Sequence, residues 1–346
     1  MTATISRGLG TAAGGLPRPV VGILLEEELA ALVLSAEARR RLADFADVVA
    51  LSPELVRRDP ARSGVGEVDV LLTGWGSPRI GEAVLAAAPR LRAVVHAAGS
   101  VKWLVSDDAL SRLTVSSAGS VNAVPVAQYT ASVIQLATKR AFRLAARYRA
   151  GQHLDYSTNP DSGSVDRVIG IVGASRIGRL VIEALVPTGN RVVVADPYLP
   201  AAEARAMGVE LVGLEELFDR SDVVSVHAPL LADTVHMIDA SLLSRLRDGA
   251  VLVNTARGRL VDTDALVEEC ATGRIDAVLD VTDPEPLPSD HPLLALENVF
   301  VTPHIAGSSG TELRLLGDFA VDEIERLARG EELVGAVVAT RLEVSA

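Results

Sequence analysis

One stretch constrains the chain more than any other: Val168-Ile-Gly-Ile-Val-Gly-Ala-Ser-Arg-Ile-Gly178, continued by Arg191-Val-Val-Val-Ala-Asp196. Val168 to Val172 is a short apolar run with a glycine inside it, the pattern of a strand buried on both faces. A turn follows, Gly173-Ala-Ser-Arg-Ile-Gly178, and then Leu180, Val181, Ile182 and Leu185 fall at helical spacing. A second apolar run ends in Asp196. Strand, tight turn, helix and strand in that order make a βαβ unit of a parallel sheet.

Each part suits a dinucleotide. Gly173 permits the tight turn, and Gly178 lets the helix lie close on the strand. The helix start directs unpaired N–H groups and its positive dipole end at a phosphate. Asp196, 18 residues past Gly178, stands where an acid grips the hydroxyls of an adenine ribose. A carboxylate there repels a 2′-phosphate, which favours NAD over NADP. The middle glycine of the G-x-G-x-x-G pattern is Ser175, whose hydroxyl either meets a phosphate oxygen or caps the helix.

The 346 residues leave room for a second domain. With 49% hydrophobic but only 3% aromatic residues, the core must be Ala, Val, Leu and Ile, as suits parallel sheets. A net charge of −12 makes a nucleic-acid backbone a poor partner, and an anionic substrate needs a local cation. The lone Cys270 excludes an internal disulfide and a cysteine-based zinc site, and its helical setting predicts a packed thiol. No metal site is expected. Every long apolar run is interrupted, so no membrane span is expected. Residues 1–18 lack an apolar core of the signal-peptide kind and read as a disordered leader on a soluble cytoplasmic protein.

Strand patterns at 19–25, 47–51, 68–73, 91–96 and 114–117 alternate with helical ones, with 47–51 and 68–73 expected to be buried. This half has no glycine fingerprint, so it reads as a second doubly wound domain with another task. Residues 124–150 form one long helical pattern, followed by a polar loop at 151–166. Beyond Asp196, strands are expected at 209–212, 223–227, 250–254, 277–280 and 299–302, and a closing helix at 312–329. The fold expected is α/β: two Rossmann-like, doubly wound parallel-sheet domains with a cleft between them. The substrate domain takes 19–123 plus 312–346, and the NAD-binding domain 124–311 with the linking helix.

Ligands of open α/β sheets bind outside the carboxyl ends of the strands. His227, Thr255 to Arg257, Asp280 and His304 all fall at such ends. Reduction of a 2-keto acid needs a cation for the carboxylate, a proton donor for the carbonyl oxygen and a hydride for its carbon. Arg257 suits the first, by its planar fork, and His304 the second. Glu285, in Asp283-Pro-Glu-Pro286, can hold the imidazole upright and pair with its charged form. Equally, an arginine after a strand is often a surface ion pair, and a glutamate between prolines a solvated loop acid. His96, His153, His227, His236 and His291 compete with His304.

The motifs taken together resemble the D-isomer-specific 2-hydroxyacid dehydrogenases, the family that includes formate, D-lactate, glycerate and 3-phosphoglycerate dehydrogenases. The matching blocks are Gly170-Ile-Val-Gly173 to Gly178, His227-Ala-Pro-Leu230 with Thr234, and Asn254-Thr-Ala-Arg-Gly258 with Val261-Asp262. Asp280-Val281 with Glu285-Pro286, and Thr302-Pro-His-Ile-Ala-Gly307, complete the set in the family's order. Ala88-Pro-Arg-Leu91 and Val126-Ala-Gln128 match more weakly.

The resemblance implies Arg257, Glu285 and His304 as the catalytic set. It implies an NAD site that includes Arg176, Ile177, Asp196, Pro229, Thr234, Ala256 and Asp280. With the turn, the strand ends and the matched blocks, the expected cofactor set also takes in Gly173, Ser175, His227, Ala228, Thr255, Arg257, His304 and Gly307. Backbone amides around Ala98, Gly99 and Ser100 are expected to hold the substrate carboxylate with Arg257, while His304 meets its carbonyl. A homodimer built through the nucleotide domain is likewise implied. The substrate is then a small 2-hydroxy or 2-keto acid. The alternatives are a phosphorylated acid, as in 3-phosphoglycerate dehydrogenase, and an NAD-sensing protein with little turnover.

Three positions depart from the family. Ser175 replaces a glycine, and Gln128 replaces the usual glutamate of Val-Ala-Glu. The loop after Gly99 reads Ser100-Val-Lys102, where an acidic residue is common. Lys102 and Trp75 either shape the substrate side of the cleft or are a surface lysine and a packed indole.

Overall fold

The computed structural model describes Leu16, residues 18–152 and residues 162–338. Most of the expected leader, His153 and the middle of the loop at 151–166 lie outside the described residues. The chain divides into two compact units. The first takes the described residues up to Asn122 and those from Ser308 onward, and the second runs from Ala123 to Gly307.

In the first unit, β1 (Val20–Leu24), β2 (Asp47–Ala50), β3 (Val70–Thr73), β4 (Ala93–His96) and β5 (Thr114–Ser117) form one parallel sheet in the order β2-β1-β3-β4-β5. The inner strands β3 and β4 are buried throughout. The expectation of a buried strand at 47–51 is corrected: β2 is exposed at all four residues, because it pairs on one side only and forms the edge. Helix Leu313–Arg329 belongs to this unit, laying Leu316, Ala320, Val321 and Ile324 into one core with Val21, Val33, Val70 and Val95. Gly317 makes that packing possible, since a Cβ there would collide with the carbonyl of Val33.

The second unit contains β6 (Val168–Val172), β7 (Arg191–Ala195), β8 (Glu210–Leu211), β9 (Val223–Val226), β10 (Val251–Asn254), β11 (Asp276–Leu279) and β12 (Val299–Val301). All pair in parallel, in the order β12-β11-β10-β9-β6-β7-β8. Numbered within the unit, the order is 3-2-1-4-5-6-7, the doubly wound arrangement whose switch point lies between β6 and β9. Gly170, in the middle of β6, gives helix Leu214–Arg220 its seat: a Cβ would stand 2.8 Å from the Leu217 Cγ.

The single helical run expected over 124–150 is two helices, Gly119–Thr138 and Ala141–Arg149. The first begins five residues before the expected start and carries Pro125 inside it. The break falls at Arg140, whose φ of 57° lies in the left-handed region and interrupts the helix. The side chain explains it. Only 8% exposed, Arg140 donates from Nη1 to the Asp276 carboxylate at 2.8 Å and from Nη2 to the Gly249 carbonyl. Arg143 Nη1 reaches the other Asp276 oxygen at 3.0 Å. A buried ion pair outweighs helical periodicity here, because an unpaired buried charge costs far more than one broken turn. Asp276→Ala removes the carboxylate paired with the buried Arg140 and one of the two paired with Arg143, and should destabilise the fold by roughly 3 kcal/mol. Urea unfolding followed by circular dichroism measures the loss.

Candidate active site

The turn after β6 is built on close approach. Gly173 has φ +95°, and a Cβ there would stand 2.8 Å from the Ala228 nitrogen and 2.9 Å from its Cα. A Cβ on Gly178 would collide with the Gly173 carbonyl. These two glycines therefore let β6, helix Arg176–Leu185 and the end of β9 meet at the switch point. Ser175 is the N-cap, its hydroxyl accepting from the Gly178 N–H at 3.4 Å. That capping leaves the amides of Arg176 and Ile177 without hydrogen bonds to described residues, free to meet a pyrophosphate.

Asp196 ties this turn down. One carboxylate oxygen accepts from the Ala174 N–H and the other from the Tyr198 N–H, both at 2.7 Å. Each oxygen keeps a second lone pair for a ribose hydroxyl. His227 is buried, with Nε2 2.8 Å from the Ser225 hydroxyl. Burial pushes its pKa down to about 3, so the ring is neutral and any contact with a cofactor falls to its backbone. Thr234 is likewise committed to its own loop, donating to the Pro229 carbonyl and accepting from the Leu231 N–H, each at 2.7 Å.

The end of β10 carries Thr255, Ala256 and Arg257. Gly258 lets this loop press on the next one, since a Cβ would stand 2.7 Å from the Asp283 nitrogen. The Arg257 guanidinium donates to the Ala256 carbonyl at 2.6 Å, and no other hydrogen bond holds it among the described residues. Burial lowers its pKa, opposed by the charge of Glu285. Its remaining N–H groups are available to a carboxylate.

His304 and Glu285 meet as the sequence suggested. The imidazole Nδ1 lies 2.6 Å from a Glu285 oxygen, with both side chains about half exposed. The carboxylate accepts there, so Nδ1 bears the proton, and Nε2 has no hydrogen bond to a described residue. His304 itself sits in the left-handed region at φ 55°. Asp280, 1% exposed, holds it there. Its carboxylate accepts from the Thr302 hydroxyl at 2.6 Å, the Ile305 N–H at 2.8 Å and the Ala306 N–H at 2.9 Å, while its carbonyl takes the His304 N–H at 2.9 Å. Of the competing histidines, His96 is fully buried on Thr73, its pKa lowered to about 4 by burial, and His291 caps a turn. Cys270 is a packed thiol, pushed up to about 12 by burial.

Ala98, Gly99 and Ser100 follow β4 in the first unit. The carbonyls of Ala98 and Gly99 accept from the Ser117 hydroxyl, which fixes the loop, and the amides of Gly99 and Ser100 bond to no described residue. Trp75 is 37% exposed, neither fully packed nor free, and Gln128 is exposed. Sequence reasoning missed Tyr129 and Thr130, whose hydroxyls reach Thr302 and Thr255 at 2.8 Å each. Nothing in their spacing marks them, since a helix face of mixed polarity carries no such signal.

Residues 131–306 match the model of the D-isomer specific 2-hydroxyacid dehydrogenase, NAD binding domain. The chain belongs to that family. A glyoxylate reductase of Korarchaeum cryptofilum is 33% identical over 274 residues, 77% of this chain and 82% of the relative. A D-3-phosphoglycerate dehydrogenase of Mycobacterium bovis is 34% identical over 281 residues, 80% of this chain. The chain spans about half the length of that relative, 52%. The holo structure of Rhodotorula graminis D-mandelate dehydrogenase superposes with a TM-score of 0.80 over 93% of this chain and 98% of its own, at 23% identity, which is a likeness of fold. The second unit, with its switch-point turn, is thus the family's NAD-binding domain. Gly173→Ala, which drives a methyl group into the Ala228 backbone at positive φ, should weaken NADH binding by at least tenfold, as read by nucleotide fluorescence.

Proposed function

We propose that the protein is an NAD-dependent dehydrogenase that interconverts a small D-2-hydroxy acid and its 2-keto acid. The observation that carries this reading is the 2.6 Å contact of His304 with Glu285 in the same unit as the uncommitted Arg257 fork. Bound NADH supplies the hydride to C2. Arg257 binds the substrate carboxylate, with the amides around Ala98, Gly99 and Ser100 as the further hold. His304 gives its Nε2 proton to the carbonyl oxygen as the hydride arrives at carbon, so ketone becomes alcohol. Glu285 keeps the ring in the productive tautomer and pairs with the imidazolium. In the oxidative direction His304 takes the hydroxyl proton. Gly173, Ser175, Arg176, Ile177, Asp196, His227, Ala228, Pro229, Thr234, Thr255, Ala256, Asp280 and Gly307 are the proposed cofactor set, several through backbone groups alone.

The division of labour proposed is substrate recognition by the first unit and NAD binding by the second. A homodimer is part of the same reading, supported by Val124, Leu136 and Tyr148, which two helices expose at 43%, 47% and 76%. So is a cytoplasmic setting. No helix among the described residues is long and apolar enough to cross a membrane.

The second reading is a phosphorylated acid, favoured by similarity to the mycobacterial relative and by the exposed Arg79 beside the loop of Trp75. The test is NADH oxidation against glyoxylate, hydroxypyruvate, pyruvate, phenylpyruvate and 3-phosphohydroxypyruvate, with NADPH in parallel. Turnover of one unphosphorylated acid with NADH is expected. Activity with the phosphorylated acid alone selects the second reading, and NADH binding without any turnover selects a sensor.

A further inference from the structure

We propose that Tyr129 and Thr130, neighbours on the helix Gly119–Thr138, are positioning residues that hold the two catalytic loops from one support. The inference rests on the dehydrogenase reading for its kinetic consequences, but the geometry stands by itself.

The direction of each hydrogen bond follows from counting protons. The Thr302 hydroxyl has one proton, and it goes to the Asp280 carboxylate at 2.6 Å. Tyr129 must therefore be the donor in its 2.8 Å contact with Thr302. The chain runs Tyr129 hydroxyl, Thr302 hydroxyl, Asp280 carboxylate, and that carboxylate receives the amides of Ile305 and Ala306 beside His304. Thr130 gives its proton to the Val126 carbonyl at 2.7 Å, so Thr255 donates to Thr130 across 2.8 Å. Thr255 is two residues from Arg257 and is 6% exposed. Adjacent side chains of one helix thus end at two different loops, one bearing the proton donor and the other the carboxylate fork. Tyr129 is half-buried and Thr130 wholly buried, which makes these bonds fixed and costly to lose.

The two residues should fail in different ways. Tyr129→Phe keeps the ring and removes the donor, loosening the loop of His304. It should lower kcat for the keto acid by roughly tenfold or more, with the KM for that acid little changed. Thr130→Val keeps the shape and removes the acceptor, loosening the loop of Arg257. It should raise the KM for the keto acid by roughly tenfold, and Thr130→Ser should recover most of that loss. A role in stability alone predicts another pattern, a fall in apparent kcat that follows each variant's own unfolded fraction with the KM for the acid unchanged in both.

Amide hydrogen exchange gives a readout independent of turnover. In Tyr129→Phe, the Ile305 and Ala306 amides should exchange faster while Ala256 is unchanged. In Thr130→Val, Ala256 should exchange faster while Ile305 and Ala306 are unchanged. Kinetic defects that divide as stated, with local exchange to match, support the proposal. Wild-type kinetics and exchange in both variants overturn it, as does an equal effect on both loops. A wild-type protein that turns over no acid defeats the dehydrogenase reading instead, and the exchange data then decide the positioning role alone.

Discussion

The Asp280 carboxylate is the interaction on which the site depends. Buried at the end of β11, it receives three hydrogen bonds from residues 302–306, and these fix a loop whose central residue, His304, has a backbone conformation that side-chain-bearing residues seldom adopt. The acid offsets its own desolvation by collecting donors, and the loop offsets its strain by supplying them. One result is that the imidazole stands where Glu285 accepts a hydrogen bond from its Nδ1–H. Removing the acid would leave the buried Ala306 N–H and the part-buried Ile305 N–H without their acceptor and release the Thr302 hydroxyl, loosening the loop around His304.

A second constraint acts at the switch point of the larger sheet. Gly173 and Gly178 bring the end of β6, the start of a helix and the end of β9 within contact distances that no other residue permits. Asp196 then ties the turn to the end of β7 through Ala174. Because the strands are parallel, the loops after β6, β7, β9, β10, β11 and β12 all leave the same edge of the sheet. The ion pair of Arg140 with Asp276 belongs to the opposite edge, where β11 begins, and serves the frame rather than the chemistry.

Much of this was legible in the sequence for reasons that can be named. Strands buried on both faces announce themselves as apolar runs, and the glycines of the turn have no alternative residue. The contact of Glu285 with His304 was legible through strand ends and family blocks. What stayed hidden depends on partners distant in sequence. The exposure of β2 follows from its place at the edge, which its Val-Val pair does not encode. The break at Arg140 follows from an aspartate 136 residues away. Asp196 and Asp280 read as cofactor ligands, yet their carboxylates also organise backbone, a task that motif spacing cannot separate from binding. Ser175 departs from the glycine pattern but costs the turn little, because its hydroxyl caps the helix.

In the proposed reaction His304, held by Glu285, moves the proton while Arg257 holds the acid. The most direct measurement is to compare turnover and keto-acid binding in His304→Ala, using an acid that the wild-type protein reduces. Binding to the NADH complex, followed by quenching of nucleotide fluorescence, should stay within a few-fold of wild type while kcat falls by roughly a thousandfold or more. Near-normal turnover in that variant would contradict the claim and require another proton donor.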